Sequence, residues 1–497
     1  MALVEYSDVQ GIVRYGYGRL TEACFFLLRI NSLPAARSWF RTAPVTTAME
    51  MKPPPKTALQ VAFTCEGLQA LQVPVEIIQE FSPEFISGMA GEESRSRRLG
   101  DVGANAPSQW HWGSTEKMPH ALVMLYAEPG KLETWKKAVK GDSWDDAFTV
   151  LACLEAERLS DAEPFGFKDG ISQPKIDWDG ERKPAEGETL DYSNLVTLGE
   201  FLLGYPNEYR KYTTRPLLDR GDDRSAGLLP AEEDPDKRDV GRNGCYLVLR
   251  ELAQDVSGFW KFLDGQAQGD ADERAKLAAA MVGRKMNGEP LVPLTDQQIA
   301  GLDPDNQDDI RLNQFTYEQD GDGTHCPFGA HIRRANPRNG DLPYGTRGLL
   351  SRLIRTLGFG RKNIRDDLVS STRFHRILRR GRAYRTAESL DPGLADSRER
   401  GLYFICLNAN ISRQFEFVQN AWIMGTKFDG LSEEGDPLLG NRLPLPGGPK
   451  TDIFTVPQSD GVRHRVTDLS QFVTVRGGAY FFLPSIRALW YIATLGD

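Results

Sequence analysis

The stretch CFFLLRINSLPAARSWF, residues 24–40, decides the fold, because a stretch of the same kind returns at residues 245–262 as CYLVLRELAQDVSGFWKF. Each begins with a short run of aromatic and aliphatic residues, which is typical of a buried strand. Each continues into a helical pattern that opens on a polar residue and ends in aromatics. A second strand-then-helix run follows in each half, at residues 59–71 and 401–423. The pattern predicts a duplicated α+β unit with strands in one layer and helices in the other.

The duplication also predicts where the chain divides. We expect an N-terminal half over residues 1–220 and a C-terminal half over residues 221–497. Three stretches interrupt the pattern, at residues 179–242, 264–323 and 335–400, and all are dense in charged residues or glycine. Such composition favours solvated surface insertions, except that the arginines of the third surround candidate functional residues.

Composition is that of an ordinary globular protein. Of the 497 residues, 40% are hydrophobic, which is enough for a large core, and 26% are charged. The net charge of −9 gives no general attraction to nucleic acid or anionic lipid. No run approaches the roughly 18–20 apolar residues that span a bilayer, and the first residues lack the pattern of a signal peptide. We therefore expect a cytoplasmic protein that binds neither nucleic acid nor membrane.

The cysteines indicate neither a disulfide framework nor a thiolate metal site. There are six, they are dispersed, and no CxxC occurs, so we expect buried free thiols. CxxCH is absent as well, so any haem would be held without covalent bonds.

Of the six histidines, His331 has the most suggestive surroundings, and no HExxH zinc motif occurs. It lies in CPFGAHIRRANPR, with small apolar residues before it and Arg333, Arg334 and Arg338 after it. A neutral imidazole is a good axial ligand for haem iron, and the haem propionates need cationic partners. The segment meets both needs, although a structural histidine beside a basic surface would show the same spacing.

A second candidate is Asp169, in GFKDGISQP at residues 166–174. The flanking Gly166 and Gly170 permit tight backbone geometry, which would let a short carboxylate project at a fixed angle into a pocket. A plain turn is the alternative interpretation of this short motif.

Adjacent arginines form a third candidate, in FHRILRRGRAY at residues 374–384. Arg379 and Arg380 each carry a permanent charge and a rigid set of donors, which can stabilise negative charge developing on oxygen. A basic element end that faces water is the alternative.

Three further residues are ambiguous on pattern alone. Leu402 and Phe404, in GLYF, fall on the same side of a predicted strand, where core packing is the ordinary role. Asp436, in EGDPLLGN, precedes a proline and fits a turn.

Taken together, these segments resemble the dye-decolorizing peroxidase family of haem proteins. The resemblance rests on GFKDG, AHIRRANPR, RILR, GLYF, QFEFVQNAW and GGAYFFLPSIRAL, which stand in the family's order and spacing. It covers nearly the whole chain apart from the insertions, and the long loops are similar to those of the larger, elaborated branch. The resemblance implies two tandem ferredoxin-like α+β domains, with one haem b held non-covalently between the sheet and the helices of the second half.

The resemblance also implies roles for single residues. His331 would be the axial ligand of the haem iron. Asp169 and Arg379 would be the catalytic residues on the peroxide side, which Leu402 and Phe404 would line.

The remaining implied roles concern the edges of the cofactor. Asp436 would hydrogen-bond the axial imidazole, and Arg338, with Arg333 as a weaker candidate, would meet a propionate. Tyr384 is followed by Arg385 where the family commonly has a Tyr-Gly turn, so Arg380 stays open as a rival to Arg379.

The implied activity is that of a peroxidase. It would reduce hydrogen peroxide and oxidise organic electron donors such as dyes and phenols through a high-valent iron-oxo intermediate, as a monomer or small homo-oligomer. The alternative is a haem-binding carrier, sensor or haem-processing protein, similar to a deferrochelatase, on the same scaffold. Such a protein would need His331 and the arginines but not Asp169.

Overall fold

The computed structural model describes most of the chain. The described residues are 4–157, 162–181, 193–221, 223–293, 312–339, 371–385, 399–444 and 447–495.

Fifteen strands lie in the described part of the chain. In chain order they are β1 Glu22–Ile30, β2 Thr57–Phe63, β3 Ala121–Ala127, β4 Phe148–Glu155, β5 Lys175–Asp177, β6 Leu195–Thr197, β7 Leu217–Asp219, β8 Lys237–Asp239, β9 Cys245–Gln254, β10 Leu378–Arg379, β11 Arg382–Arg385, β12 Arg400–Asn408, β13 Phe454–Val456, β14 His464–Val466 and β15 Val473–Leu483.

The helices are mostly short. The α-helices are α1 Leu33–Thr42, α2 Cys65–Ala70, α3 Val75–Ile78, α4 Pro83–Ser87, α5 Glu93–Leu99, α6 Leu132–Lys140, α7 Trp144–Ala147, α8 Val256–Gln266, α9 Ala271–Val282, α10 His331–Ala335 and α11 Ile486–Thr494. Two π-helical segments, Ser412–Glu416 and Val418–Ile423, follow β12. Single 3-10 turns lie at Gly11–Val13, Gly103–Asn105, Pro107–Gln109, Thr115–Lys117, Leu198–Glu200, Asp223–Ser225, Ser371–Phe374 and Phe428–Gly430.

The two paired stretches that decide the fold form the same local structure. In the first half β1 leads into α1, and in the second β9 leads into α8. A polar residue caps each helix, since Ser32 accepts a hydrogen bond from the Ala35 amide and Asp255 accepts one from the Gly258 amide. The predicted strand-then-helix repeat is therefore confirmed at both places.

One antiparallel sheet runs through both halves. Its strand order is β10-β12-β9-β15-β2-β3-β1-β4, with β11 also paired to β12. The N-terminal half contributes the order β2-β3-β1-β4, and the C-terminal half contributes β10-β12-β9-β15. In both orders the first strand of the half lies between its third and fourth strands, and the second strand lies beyond the third. The halves meet at β15 and β2 through the single pair Phe482 and Phe63. This confirms an α+β fold built from antiparallel strands and helices.

Both faces of the sheet are buried, which is why β9 carries ten buried residues in succession. On one face Tyr246, Val248 and Leu252 join the larger apolar core, while Leu247 and Leu249 join a second core on the other face. The larger core continues into the open cavity described below. Among the described residues, no helix combines the length and apolar character needed to cross a bilayer.

The described part of residues 179–242 differs from the predicted solvated insertion, because it is firmly packed. Arg215 and Asp239 form a buried ion pair at 2.6 Å. The buried carboxylates of Glu200 and Glu208 bind Arg413 and Arg373 respectively, beside the cavity. Charged composition alone could not reveal this, since the charges neutralise each other inside the protein. Most of the third predicted insertion lies outside the described residues.

Candidate active site

A large cavity lies between the sheet of the C-terminal half and the helices that cover it. Its volume, counted out to its open mouth and including the solvent space there, is about 1900 Å³. The walls are mainly apolar and include Leu252, Leu402, Phe404, Phe415, Val418, Ile423, Leu438, Val473 and Val475. The π-helical segments supply several of these side chains, and such segments are frequent at functional sites.

His331 enters the cavity from the first position of α10. Its Nδ1 lies 2.9 Å from Oδ2 of Asp436. The other oxygen, Oδ1, accepts hydrogen bonds from the backbone amides of Leu438 and Leu439 at 2.9 and 2.8 Å. These bonds fix Asp436 at the start of the turn that follows it. The ring is thereby fixed with Nε2 as the nitrogen available to a ligand.

Electrostatics keep the Asp436 carboxylate ionised. Burial works to raise the pKa of Asp436, but the His331 imidazole and the Leu439 amide outweigh it and hold the pKa below its ordinary value. An imidazole bonded to an anionic carboxylate is a stronger electron donor than a free one. The residue pattern alone assigned Asp436 to a turn, whereas the family resemblance implied a hydrogen bond to the His331 imidazole, and the structure has that bond.

Asp169 reaches the same cavity from the loop after β4. Gly166 and Gly170 on either side have φ angles of +100° and +80°, which favour glycine, as the sequence predicted for a tightly turned loop. Upstream, Glu163 accepts hydrogen bonds from the amides of Phe165 and Phe167, both at 3.0 Å. The loop therefore presents the Asp169 carboxylate at a fixed position, with 44% of that side chain exposed to the cavity.

Arg379 lies beside this carboxylate. Its Nη1 donates to Oδ1 of Asp169 at 3.0 Å. Burial works to raise the pKa of Asp169, but the Arg379 charge and the Gly170 backbone N–H outweigh it and lower the pKa below its ordinary value. The cavity thus holds an ionised carboxylate that can accept a proton, next to a guanidinium that can stabilise an anion.

Arg380, the rival arginine, points away from the cavity. Its guanidinium donates to the carbonyl oxygens of Ile12 at 2.7 Å and Val13 at 3.0 Å. Successive residues of an extended strand face opposite sides, so only one member of the pair can reach Asp169. The structure brings Arg379 to the site and not Arg380.

The cavity also contains buried cations that could bind an anion. Arg338 lines it with a positive φ of 57° and a guanidinium 3.8 Å from the centre of the Phe315 ring. Arg284 lies alongside and donates to the carbonyl oxygens of Gly288 and Leu312, both at 2.7 Å, and to Oγ of Ser172 at 2.9 Å.

Arg284 is a residue that sequence reasoning missed. It is 4% exposed, and burial with the nearby Arg338 charge lowers its pKa to about 10. Among the described residues none of its hydrogen-bond partners is a carboxylate, whereas the neighbouring cavity residue Arg250 is neutralised by Asp101. A buried cation without a counterion favours an anionic ligand. The only sequence signal is Gly283, which ends α9 but does not indicate where the next side chain points.

Arg333 is not at the cavity. Its guanidinium bonds Oδ2 of the buried Asp320 at 2.8 Å and the carbonyl oxygen of Cys326 at 2.7 Å. It also lies against the rings of Tyr317 and Phe328. The structure therefore does not support Arg333 as a partner of a propionate, because its charge is already paired within the protein.

Leu402 and Phe404 both line the cavity from β12, while Tyr403 between them faces the opposite core. The alternation predicted from GLYF is therefore present, and it gives the sheet side of the cavity a smooth apolar surface beside Asp169 and Arg379. Two more residues escaped the sequence analysis: His375, which lines the cavity, and Gln173, whose side-chain amide hydrogen-bonds the backbone of Arg379.

The chain is similar over nearly its full length to known peroxidases. Peroxidase 2 of Mycetinis scorodonius is 28% identical over 518 residues, covering 97% of this chain and 86% of that protein. The multifunctional dye peroxidase of an Amycolatopsis strain is 27% identical, covering 95% of this chain and 90% of that protein. No family model matches the sequence.

Solved structures agree with the sequence relatives. The fungal DyP-type peroxidase of Auricularia auricula-judae superposes with a TM-score of 0.70 at 24% identity, covering 99% of this chain and all of that one. The same peroxidase complexed with imidazole gives a TM-score of 0.68 at 25% identity, with the same coverage. A dye-decolorizing peroxidase whose heme pocket was engineered for asymmetric sulfoxidation gives 0.69, also at 25% identity.

Proposed function

We propose, on the premise that this chain belongs to the dye-decolorizing peroxidase family, that it is a peroxidase that reduces hydrogen peroxide while oxidising organic electron donors. The single observation that carries the proposal is the meeting, in one cavity, of Asp169 and Arg379 with an imidazole from a distant part of the chain. A protein that only stored haem would have no use for an ionised carboxylate paired to an arginine.

The cavity fits one haem b on three counts. Nε2 of His331 is available to iron because Asp436 holds the other nitrogen. Arg284, which has no carboxylate partner among the described residues, and Arg338 suit the two propionates. The apolar surface of Leu402 and Phe404 suits a flat ring, so that the haem would lie between sheet and helices of the second of two ferredoxin-like halves. When bound, haem would supply the electron-transfer chemistry of the reaction.

The side chains themselves would transfer one proton of the peroxide and stabilise the negative charge on its leaving oxygen. Cleaving the O–O bond of hydrogen peroxide requires that the proton on one oxygen be transferred to the other. The ionised Asp169 would take the proton and return it to the leaving oxygen as general acid. Arg379, at 3.0 Å from Asp169, would stabilise negative charge on that oxygen until the proton arrives.

Asp436 would act through His331. Its charge, held by two backbone amides, would enrich the electron density of His331 and so favour the oxidised cofactor. Organic donors would return the electrons that peroxide removes.

We expect the halves to divide near residue 220. We also expect the protein to be cytoplasmic, as a monomer or small homo-oligomer.

The decisive experiment is turnover by the purified, haem-loaded protein. Peroxide-dependent oxidation of a dye and of a phenol is expected, together with a change in the Soret band on adding one equivalent of peroxide. A stable haem spectrum with no donor oxidation would instead indicate a carrier or sensor. Release of iron-free porphyrin with a reductant and no peroxide would indicate a haem-processing enzyme.

Asp169→Asn separates catalysis from haem binding. The amide keeps the size of the side chain and can still accept a hydrogen bond from Arg379, but it cannot take a proton. We expect the rate constant for reaction with peroxide to fall about 10²–10⁴-fold, with an unchanged resting spectrum. Stopped-flow absorbance measures this rate, and wild-type kinetics in the variant would remove Asp169 from the mechanism.

A further inference from the structure

A pair of cysteines in the N-terminal half lies far along the sheet from the cavity. Cys24 is on β1 and Cys153 on β4, and their sulfur atoms are 2.8 Å apart. Cys24 is fully buried, whereas Cys153 is exposed. The sequence predicted buried thiols throughout, so Cys153 is a correction to that expectation.

The hydrogen bond between the two sulfurs, more than the mixed charges around them, favours a thiolate at Cys153. Lys136 on α6 places its ammonium 2.6 Å from Glu155 and 2.8 Å from Glu133, beside the pair. The exposed thiol loses its proton more easily than the buried one, so Cys24 keeps its hydrogen and donates it to Cys153. That hydrogen bond, aided by Lys136 and Lys140, lowers the pKa of Cys153, while it and burial raise the pKa of Cys24.

The strands allow the sulfurs to come closer. Cys24 pairs across the sheet with Glu155, and Cys153 pairs with Phe26, so the two cysteines are diagonal neighbours on one face. The strand β4 is the last in the sheet order, and among the strands of the described residues it pairs with β1 alone. Because it is bonded along one edge, β4 can shift by the remaining fraction of an ångström to the roughly 2.05 Å of a disulfide.

We propose that Cys24 and Cys153 are a peroxide-oxidised dithiol that closes into a disulfide linking β1 to β4. The Cys153 thiolate attacks hydrogen peroxide, which forms an S–O bond and breaks the O–O bond. Hydroxide leaves and takes a proton from solvent, so Cys153 is left as a sulfenic acid. The Cys24 sulfur then attacks that sulfur, and the hydroxyl departs with the Cys24 proton as water. Two thiols lose two electrons, and one peroxide becomes two waters.

This chemistry needs hydrogen peroxide and no group from the cavity, so it stands or falls apart from the proposed peroxidase function. Its oxidant is nevertheless the proposed enzyme's own substrate. The thiol pair would therefore be oxidised by peroxide that the haem site had not consumed.

The test is a thiol count on the intact, haem-loaded protein, denatured only after treatment with peroxide. The fully reduced chain has six thiols, and we expect four after treatment, with a Cys24–Cys153 link in peptide mass spectra. Diamide, a thiol oxidant that does not act through peroxide, is expected to give the same link. Six remaining thiols, or a link between the buried Cys245 and Cys406, would overturn the proposal.

Three variants sharpen the result. Cys153→Ser, at an exposed position, should keep its five thiols, and Cys24→Ser should stop at a sulfenic acid on Cys153 that dimedone captures. Cys65→Ser, whose cysteine lies on α2, is the matched control and should still lose two thiols. If the purified protein carries one zinc that is lost in Cys153→Ser, then Cys24, Cys153 and Glu155 form a metal site and the proposal falls.

Discussion

At the scale of single residues, the dipeptide Arg379-Arg380 offers an internal control for the site. Arg379→Leu removes the guanidinium beside Asp169, and we expect the peroxide rate constant to fall about 10²–10³-fold. Arg380→Leu leaves the cavity untouched but strips donors from the carbonyl oxygens of Ile12 and Val13. It should lower the free energy of unfolding by about 1–3 kcal/mol with peroxide kinetics preserved.

Stopped-flow absorbance and urea unfolding on the two variants distinguish these effects. Loss of the peroxide reaction in Arg380→Leu alone would mean that the wrong guanidinium has been assigned. The sequence could not decide between the neighbours, because that choice depends on which face of a two-residue strand meets the cavity.

At the scale of the element, β10 is only two residues long and is bonded on its outer edge by a side chain. Gln173 donates through Nε2 to the Arg379 carbonyl oxygen at 3.2 Å and accepts from the Arg379 amide at 3.1 Å. The Gln173 side-chain amide therefore makes the two hydrogen bonds that the backbone of a neighbouring strand would make, and it connects β10 to the Asp169 loop. Gln173→Met should loosen Arg379 and slow the peroxide reaction about 10–100-fold, since small displacements of positioned groups are costly.

The haem spectrum should be unchanged in Gln173→Met, and stopped-flow kinetics provide the measurement. Gln109→Met, at an exposed position, is the matched control and should behave as wild type. If Gln173→Met lowered only the melting temperature and not the peroxide rate, Gln173 would be a structural residue without influence on Arg379.

Elements were more predictable than contacts. The strand-then-helix repeat, the Ala-rich α9 and the closing strand β15 follow from local apolar patterns, and the structure has all of them. The Arg284 site does not follow, because it forms only when the end of α9 packs against Phe315 and Ser172, far away in the chain. Local pattern fixes an element, whereas the partner of a buried charge is fixed by tertiary packing.

At the scale of the whole molecule, we expect the free energy of unfolding at acid pH to depend on His375, which lines the cavity. Its ring stacks on Phe417 at 3.6 Å, packs edge-on against Trp422, and bonds the Arg413 carbonyl oxygen through Nδ1. Burial, together with the Arg413 charge, lowers the pKa of His375 to about 4 although the Arg413 carbonyl opposes the shift. The folded protein therefore holds this histidine neutral at pH values where the unfolded chain protonates it.

The sign of the effect follows from that difference. Below the ordinary histidine pKa of about 6.5 the unfolded state gains a proton that the folded state does not, so stability falls until the pH reaches about 4. The full loss is at most about 3 kcal/mol. His375→Gln removes the titrating group, so its free energy of unfolding should fall less than wild type between pH 7 and 4.5, as measured by urea titration. His464→Gln, at an exposed position on β14, should keep the wild-type slope, and equal slopes in all three proteins would contradict this account.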